Sequence, residues 1–269
     1  MGSHFVADFR DPVTGSLPTD STIQALQITA IASAYYLYTN LLPFDADIDS
    51  NPTSCQACGS LPVGGLSSQA YGGKVFWDAD MFMAPAVQGT HPRLARQFGI
   101  YRINRAAQAK QNTERHGLKP GSMLYPWTSG RYGQCYNMTG PCVMYQYHLN
   151  ADIALSLLMA RNTSGDGAWF EEKGAAAVVD GVAMGLGEVL SYRNETRTWG
   201  IDVMTDADEY YMFVADGAFT SAAISVVIEN ASHLRRQRGQ ALEARWAEQT
   251  ENMALPTSPD GAKIGRAHV

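Results

Sequence analysis

Charge is scarce in this sequence. Of 269 residues, 17% are charged, with 20 basic side chains against 26 acidic ones and a formal net charge of −6. A phosphate-binding face shows as clustered excess Lys and Arg, so this balance argues against nucleic acid as the main partner. Long apolar runs are missing too. The longest weakly polar stretch, Ile28 to Tyr38, is about half of what a membrane-spanning helix needs. No Gly-x-Ser-x-Gly elbow, His-Glu-x-x-His pair or phosphate-cradling loop occurs, which removes the motif-bearing serine hydrolases, zinc proteases and nucleotide binders. No alternating strand pattern of useful length appears. The opening residues Met1 to Arg10 lack the basic-then-apolar order of a secretory signal. What remains, 45% apolar residues in a chain of this length, is globular material sufficient for a sizeable core.

Cysteine is also sparse. Cys55 and Cys58 have metal or redox spacing, but no second such pair or nearby His pair completes a zinc site. We therefore expect no metal and no cofactor, and read the pair as a local disulfide or free thiols. Cys135 and Cys142 bracket a short loop whose Asn137, Gly140 and Pro141 let its ends approach, making a second candidate disulfide. Four sites fit the N-glycosylation pattern, at Asn137, Asn162, Asn194 and Asn230. Together with the low charge they point to a secreted, cell-wall or vacuolar protein whose true N-terminus lies upstream. The other end is unusual as well. Ile264-Gly-Arg-Ala-His-Val269 is encoded by ATC GGA AGA GCA CAC GTC, followed by TGA. That is a common short-read sequencing adapter with its stop. Residues 263–269 are therefore expected to be non-native, and 1–262 to be part of a longer catalytic domain.

Helical signals dominate the interior. Asp20 can cap a helix from Ser21 to about Asn40, with Ile23, Leu26, Ile28, Ile31 and Tyr35 at roughly helical spacing. A long loop covers 42–73, and a short helix follows at 79–87. Pro92 in a first turn opens a helix that runs to about Gly117. After a loop from 120 to 145, helices are predicted at about 149–161, 167–192, 217–231 and 240–252. Helices joined by long irregular loops imply an all-α architecture with its site on loops at one end.

Three loops concentrate the chemistry. The first runs from Gly72 to Met81 and sets Trp77 beside Asp78 and Asp80. An indole can stack on a pyranose ring while a carboxylate accepts from adjacent hydroxyls; a core Trp followed by a capping Asp is the plainer alternative. The second, Tyr125-Pro-Trp127 through Arg131 and Tyr132, suits a rigid loop with a stacking surface and a fixed cation, or a packed Ω-loop. The third, Asp206-Ala-Asp208-Glu209-Tyr210, crowds three carboxylates, which raises at least one pKa as a glycosidase acid requires; a solvated acidic turn is the alternative. His148 is either a ligand contact or a hydrogen-bonded core residue that opens a helix. Together the loops describe an acidic, aromatic cleft for a neutral sugar.

In this order the loops resemble glycoside hydrolase family 65, in its fungal acid trehalase branch. The resemblance rests on Gly65-Leu-Ser-Ser68, Tyr71-Gly-Gly-Lys-Val-Phe-Trp-Asp-Ala-Asp80, the run from Gly121 to Gly133, and Gly140-Pro-Cys142. It rests also on Tyr145-Gln-Tyr-His-Leu-Asn150, Thr205 to Tyr210, and Gly217-Ala-Phe-Thr220. It implies an (α/α)6 barrel, here incomplete, and inverting hydrolysis of a disaccharide, α,α-trehalose, to two glucose molecules. It places Glu209 on the general acid and Trp77 with Asp78 on the glucose grip. It sets Tyr125, Trp127, Arg131 and His148 on loops lining the cleft; Asp80 and Asp208, from the loop reading, are further candidate substrate contacts. Inversion also needs a base on the far face of the sugar. After Tyr210 the carboxylates Glu229, Glu243, Glu248 and Glu251 all fall in predicted helices, so the fragment alone is expected to lack the base and to be inactive.

The chain departs from the family at Ala207, where Pro is usual, and at Ala215 and Asp216, where two Asn are usual. Asp216 adds a negative charge near Glu209 that could shift the acid or spoil a sugar contact. A disaccharide phosphorylase of the same fold and an inactive sugar-binding fragment stand as the alternatives.

Overall fold

The computed structural model describes residues 9–41, 60–65, 70–130, 132–135, 142–210 and 212–257. Cys55, Cys58, Arg131, Asn137 and the tail 263–269 lie outside the described residues.

Helix α1, Ser21–Asn40, starts where Asp20 accepts from the amides of Thr22 and Ile23. Its apolar positions are not a core face: Ile28 is 67% exposed and Tyr35 62%. The helix is anchored through its C-terminal end, where Tyr38 bonds His91 Nδ1 at 2.7 Å and Leu37 packs under Leu41. A π-helical turn at Ala79–Met83 leads into α2, Ala84–Gln88. The long helix predicted from Pro92 is two, α3 at Pro92–Ile103 and α4 at Ala106–Arg115. It breaks where Arg105 leaves helical geometry, its guanidinium stacked 3.5 Å over the Tyr101 ring and bonded to Gly130 O.

The centre is built by α5 (His148–Ser164), α7 (Ala175–Glu188) and α8 (Ala218–Gln237). Leu149, Ile153 and Leu157 recur at i, i+4 along α5 and meet Val178, Val182 and Leu186 of α7 and Ile224, Val227 and Ile228 of α8 in one buried cluster. Between them α6, Gly167–Glu172, is separated from α7 by Gly174 at φ +94°, a break the sequence pattern ran through. The predicted extension to residue 192 is instead a small hairpin. Strand β1, Ser191–Arg193, pairs antiparallel with β2, Thr198–Gly200, with Tyr192 opposite Trp199. The last helix, α9, is Trp246–Glu251, so Glu243 stands before it, paired with Lys119 and Arg235. Among the described residues no helix is long and apolar enough to cross a membrane.

Candidate functional site

The loop from Ser122 to Ser129 is buried throughout. Its backbone is held residue by residue. Met123 N donates to Gly181 O at 2.7 Å, Leu124 N to Ala109 O, Trp127 N to Cys142 O, and Ser129 pairs with Val75 in both directions. The close crossing over α7 requires glycine there: a Cβ on Gly185 would sit 2.8 Å from Met123 O. Side chains complete the hold. Asn150 Oδ1 accepts from Tyr125 N at 2.6 Å, and the Tyr125 hydroxyl donates to Arg102 O at 2.9 Å. Burial pushes that hydroxyl's pKa upward.

Beneath this loop lies a buried ion pair. Arg102 and Asp80 are 1% and 3% exposed at their side chains, with Nη2 to Oδ2 at 2.5 Å and Nε to Oδ1 at 3.3 Å. Arg102 also donates to Ser129 Oγ and Phe76 O. Burial works to lower the Arg102 pKa, but Asp80 more than offsets it and holds the guanidinium above its ordinary value. Asp80 and Tyr125 are thus spent on holding the loop.

Above this floor stands an aromatic wall. The His148 ring meets Trp77 at 4.8 Å, Trp127 at 5.3 Å and Phe219 at 6.0 Å, each edge-on. Trp77 also meets Phe82 and Phe219. Trp77 is half-buried, while Phe82 and Phe219 are exposed, so the wall opens on that side. Asp78 precedes the π turn without capping it, and among the described residues it has no hydrogen-bond or ion-pair partner. Its carboxylate is half-buried beside Trp77. His148 is fully buried, its Nδ1 2.9 Å from Asp152 Oδ2. Burial, the largest influence, pushes the Asp152 carboxyl above its usual range; the His148 hydrogen bond and Arg102 pull it back.

The third loop is a hairpin-like arm, closed at its base by the reciprocal Met204–Val214 bridge. Two carboxylates fix its ends. Asp206 Oδ1 accepts from the amide and hydroxyl of Thr220 in the first turn of α8, a cap supplied from outside the helix. A Cβ on Gly217 would collide with that carboxylate. Asp216, at φ +50°, accepts from Ile201 N and pairs with Arg193. The extra charge at this position is therefore carried in a salt bridge. Asp208 Oδ1 turns the tip by accepting from Tyr210 N. Glu209 lies exposed at that tip, and Tyr210 beside it is 96% exposed. The arm joins the wall twice. Thr205 N donates to Tyr145 O, three residues before His148, and the α8 turn that Asp206 caps carries Phe219.

Two members of this arrangement gave no local signal in the sequence, Arg102 and Arg193, and Phe219 was marked only as part of the Gly217–Thr220 motif. Asp152, one turn beyond His148, could have been found from its spacing. Cys135 and Cys142 form a disulfide, and beside it an open cavity of about 730 Å³ reaches Tyr145. Of the glycosylation candidates, Asn194 is exposed at the β1–β2 turn and Asn162 is exposed near the end of α5. Asn230 is half-buried in α8 with its amide on Val226 O.

Residues 22–259 match the model of the glycosyl hydrolase family 65 central catalytic domain. The chain is similar to an acid trehalase of Emericella nidulans, 40% identical over 95% of this chain and 24% of that protein. It is similar to a cell wall acid trehalase of Arthroderma benhamiae, 33% identical over 92% of this chain and 24% of that one. It thus spans about a quarter of the length of these relatives. A solved structure described as a putative kojibiose phosphorylase from the human microbiome superposes with a TM-score of 0.72 at 14% identity, over 93% of this chain and 34% of that one. At that identity the likeness bears on the fold, an all-α helical toroid.

Proposed function

The chain belongs to glycoside hydrolase family 65, and from that premise we propose that it is the acid-bearing part of an inverting α,α-trehalase. Glu209 is the general acid. It protonates the bridging oxygen as the glycosidic bond breaks, while a second carboxylate activates water on the opposite face. The observation that supports this reading best is the arm itself. Its two ends are pinned by Asp206 and Asp216, its tip presents Glu209 bare, and its root is tied to the aromatic wall. Trp77 supplies the stacking face and Asp78 the acceptor for adjacent glucose hydroxyls. Trp127 and His148 close the back of the site, and Asp208 shapes the tip. We assign Asp80 and Tyr125 to the floor that holds Trp127 rather than to the sugar. Arg131 keeps the cleft-lining role that the family resemblance gives it.

The relatives' names place them as acid trehalases, one of them in the cell wall; for this protein we propose a secreted, wall or vacuolar site. Glu229, Glu248 and Glu251 lie on α8 and α9, and Glu243 is paired, so none is placed as the base. The 269-residue chain is accordingly expected to bind sugar without cleaving it. The test is glucose release from α,α-trehalose by the enzyme translated from the complete transcript, with Glu209→Gln as control and with phosphate present or absent. Phosphate-independent release that Glu209→Gln abolishes is expected. Release that requires phosphate would make it a phosphorylase, and release untouched by Glu209→Gln would move the acid elsewhere.

A further inference from the structure

His148 and Asp152 occupy successive turns of α5, and both side chains are fully buried. One contact joins them, Nδ1 to Oδ2 at 2.9 Å. Each is left with one unsatisfied atom: His148 Nε2 and Asp152 Oδ1 have no hydrogen-bond partner. Buried polar atoms are nearly always paired, so an orphan in a site wall asks for an explanation. Around the imidazole stand Trp77, Trp127 and Phe219, whose interplanar angles with it are 81°, 66° and 73°. These rings fix the imidazole plane but supply no conventional donor to Nε2.

Resting on the sugar-cleft reading above, we propose that Asp152 is a positioning residue: it accepts the Nδ1 proton of His148, so that Nε2 is held as a fixed acceptor for one hydroxyl of the bound sugar. The chemistry follows from the inventory of donors. With Asp152 ionised its carboxylate can only accept, and the 2.9 Å contact then sets the proton of a neutral imidazole on Nδ1 and the lone pair on Nε2. A sugar hydroxyl is the complementary donor, and being neutral it adds no charge to a buried site. The pair Asp80–Arg102 already balances itself beneath the loop. Asp152 therefore acts through His148, at one remove from the ligand, as outer partners of a working imidazole commonly do.

The experiment uses the 269-residue chain with 15N-labelled histidine, its six histidines sorted by the peak lost in His148→Gln. Long-range proton–nitrogen spectra at neutral pH are recorded while D-glucose or α,α-trehalose is added, with tryptophan fluorescence followed in parallel. The unliganded protein should show His148 protonated at Nδ1 and bare at Nε2, and the Nε2 resonance should move as sugar saturates the fluorescence change. Asp152→Asn should mix the tautomers and weaken sugar binding about tenfold, with Asp152→Glu restoring both in part. A protonated Nε2 in the free protein would overturn the proposal. So would an Nε2 resonance unmoved at saturating sugar, and that result would leave the sugar cleft standing. If neither fluorescence nor spectrum responds to either sugar, the cleft reading falls and this inference with it.

Discussion

Two of the loops that carry the family's motifs are built on opposite plans. The loop at 122–129 is buried, bridged to Val75, α4, α5 and α7, and underpinned by an ion pair. The arm at 201–217 is fixed at its root and at its two ends, while its tip stands in solvent. The difference is instructive. Stacking and shape recognition gain from groups that are already in place, because ordering them on binding would cost affinity. A general acid, the role proposed for Glu209, must instead reach the leaving oxygen, and needs only its root held. A carboxylate serves in both plans. Asp80 is buried with an arginine as part of a floor; Glu209 is bare and free to meet a substrate.

The largest expected effect separates the two plans by function. In the complete enzyme, Glu209→Gln should lower trehalose turnover by about 10²- to 10⁴-fold and leave the urea midpoint in place, since an exposed tip contributes little to folding. A shifted midpoint would mean the tip is structural. Next comes the floor. Arg102→Met leaves Asp80 buried without its cation and should cost about 3–5 kcal/mol in a urea melt; a cost below about 1 kcal/mol would show that Asp80 is neutral or hydrated there. The corresponding change in the arm, Arg193→Met, removes a partner of Asp216 from a half-exposed pair and should cost about 1 kcal/mol. A loss as large as that for Arg102 would erase the contrast.

The smallest effect is a pH slope. The Asp152 carboxyl is raised above 3.8 by burial. From 3.8 upward the unfolded chain has released a proton that the native state still holds, so rising pH removes stability across that window. Asp152→Asn should therefore show a flatter fall in urea midpoint than the parent as pH is raised from about 4. Parallel curves would mean that the group titrates alike in both states.

Much of the fold was legible because its signals are local. Asp20 caps the helix that starts one residue later, and Pro92 opens another. The breaks were harder, since what ends α3 is Arg105 reaching Tyr101 and Gly130, and Gly130 is 25 residues away in sequence. The hairpin at 191–200 has three residues per strand, too few for alternation to show. The apolar spacing of α1 read correctly as a helix, but periodicity does not say what lies opposite, and Ile28 and Tyr35 face solvent. In the candidate site, residue types singled out the loops, and burial sorted their members. Asp78 and Asp80 look alike in sequence; Arg102, 22 residues from Asp80, consumes one and not the other. His148 with Asp152 at i, i+4 was readable in principle. Phe219 stood inside a motif that drew attention to its neighbours instead.

The contrast between fixed floor and bare arm is tested most directly by amide hydrogen exchange on the unliganded 269-residue chain, compared over residues 122–129 and 206–210. The account predicts exchange in 122–129 as slow as in the centre of α5, and exchange in 206–210 among the fastest of the described residues. Equal rates in the two segments, or slower exchange at the tip of the arm, would contradict it.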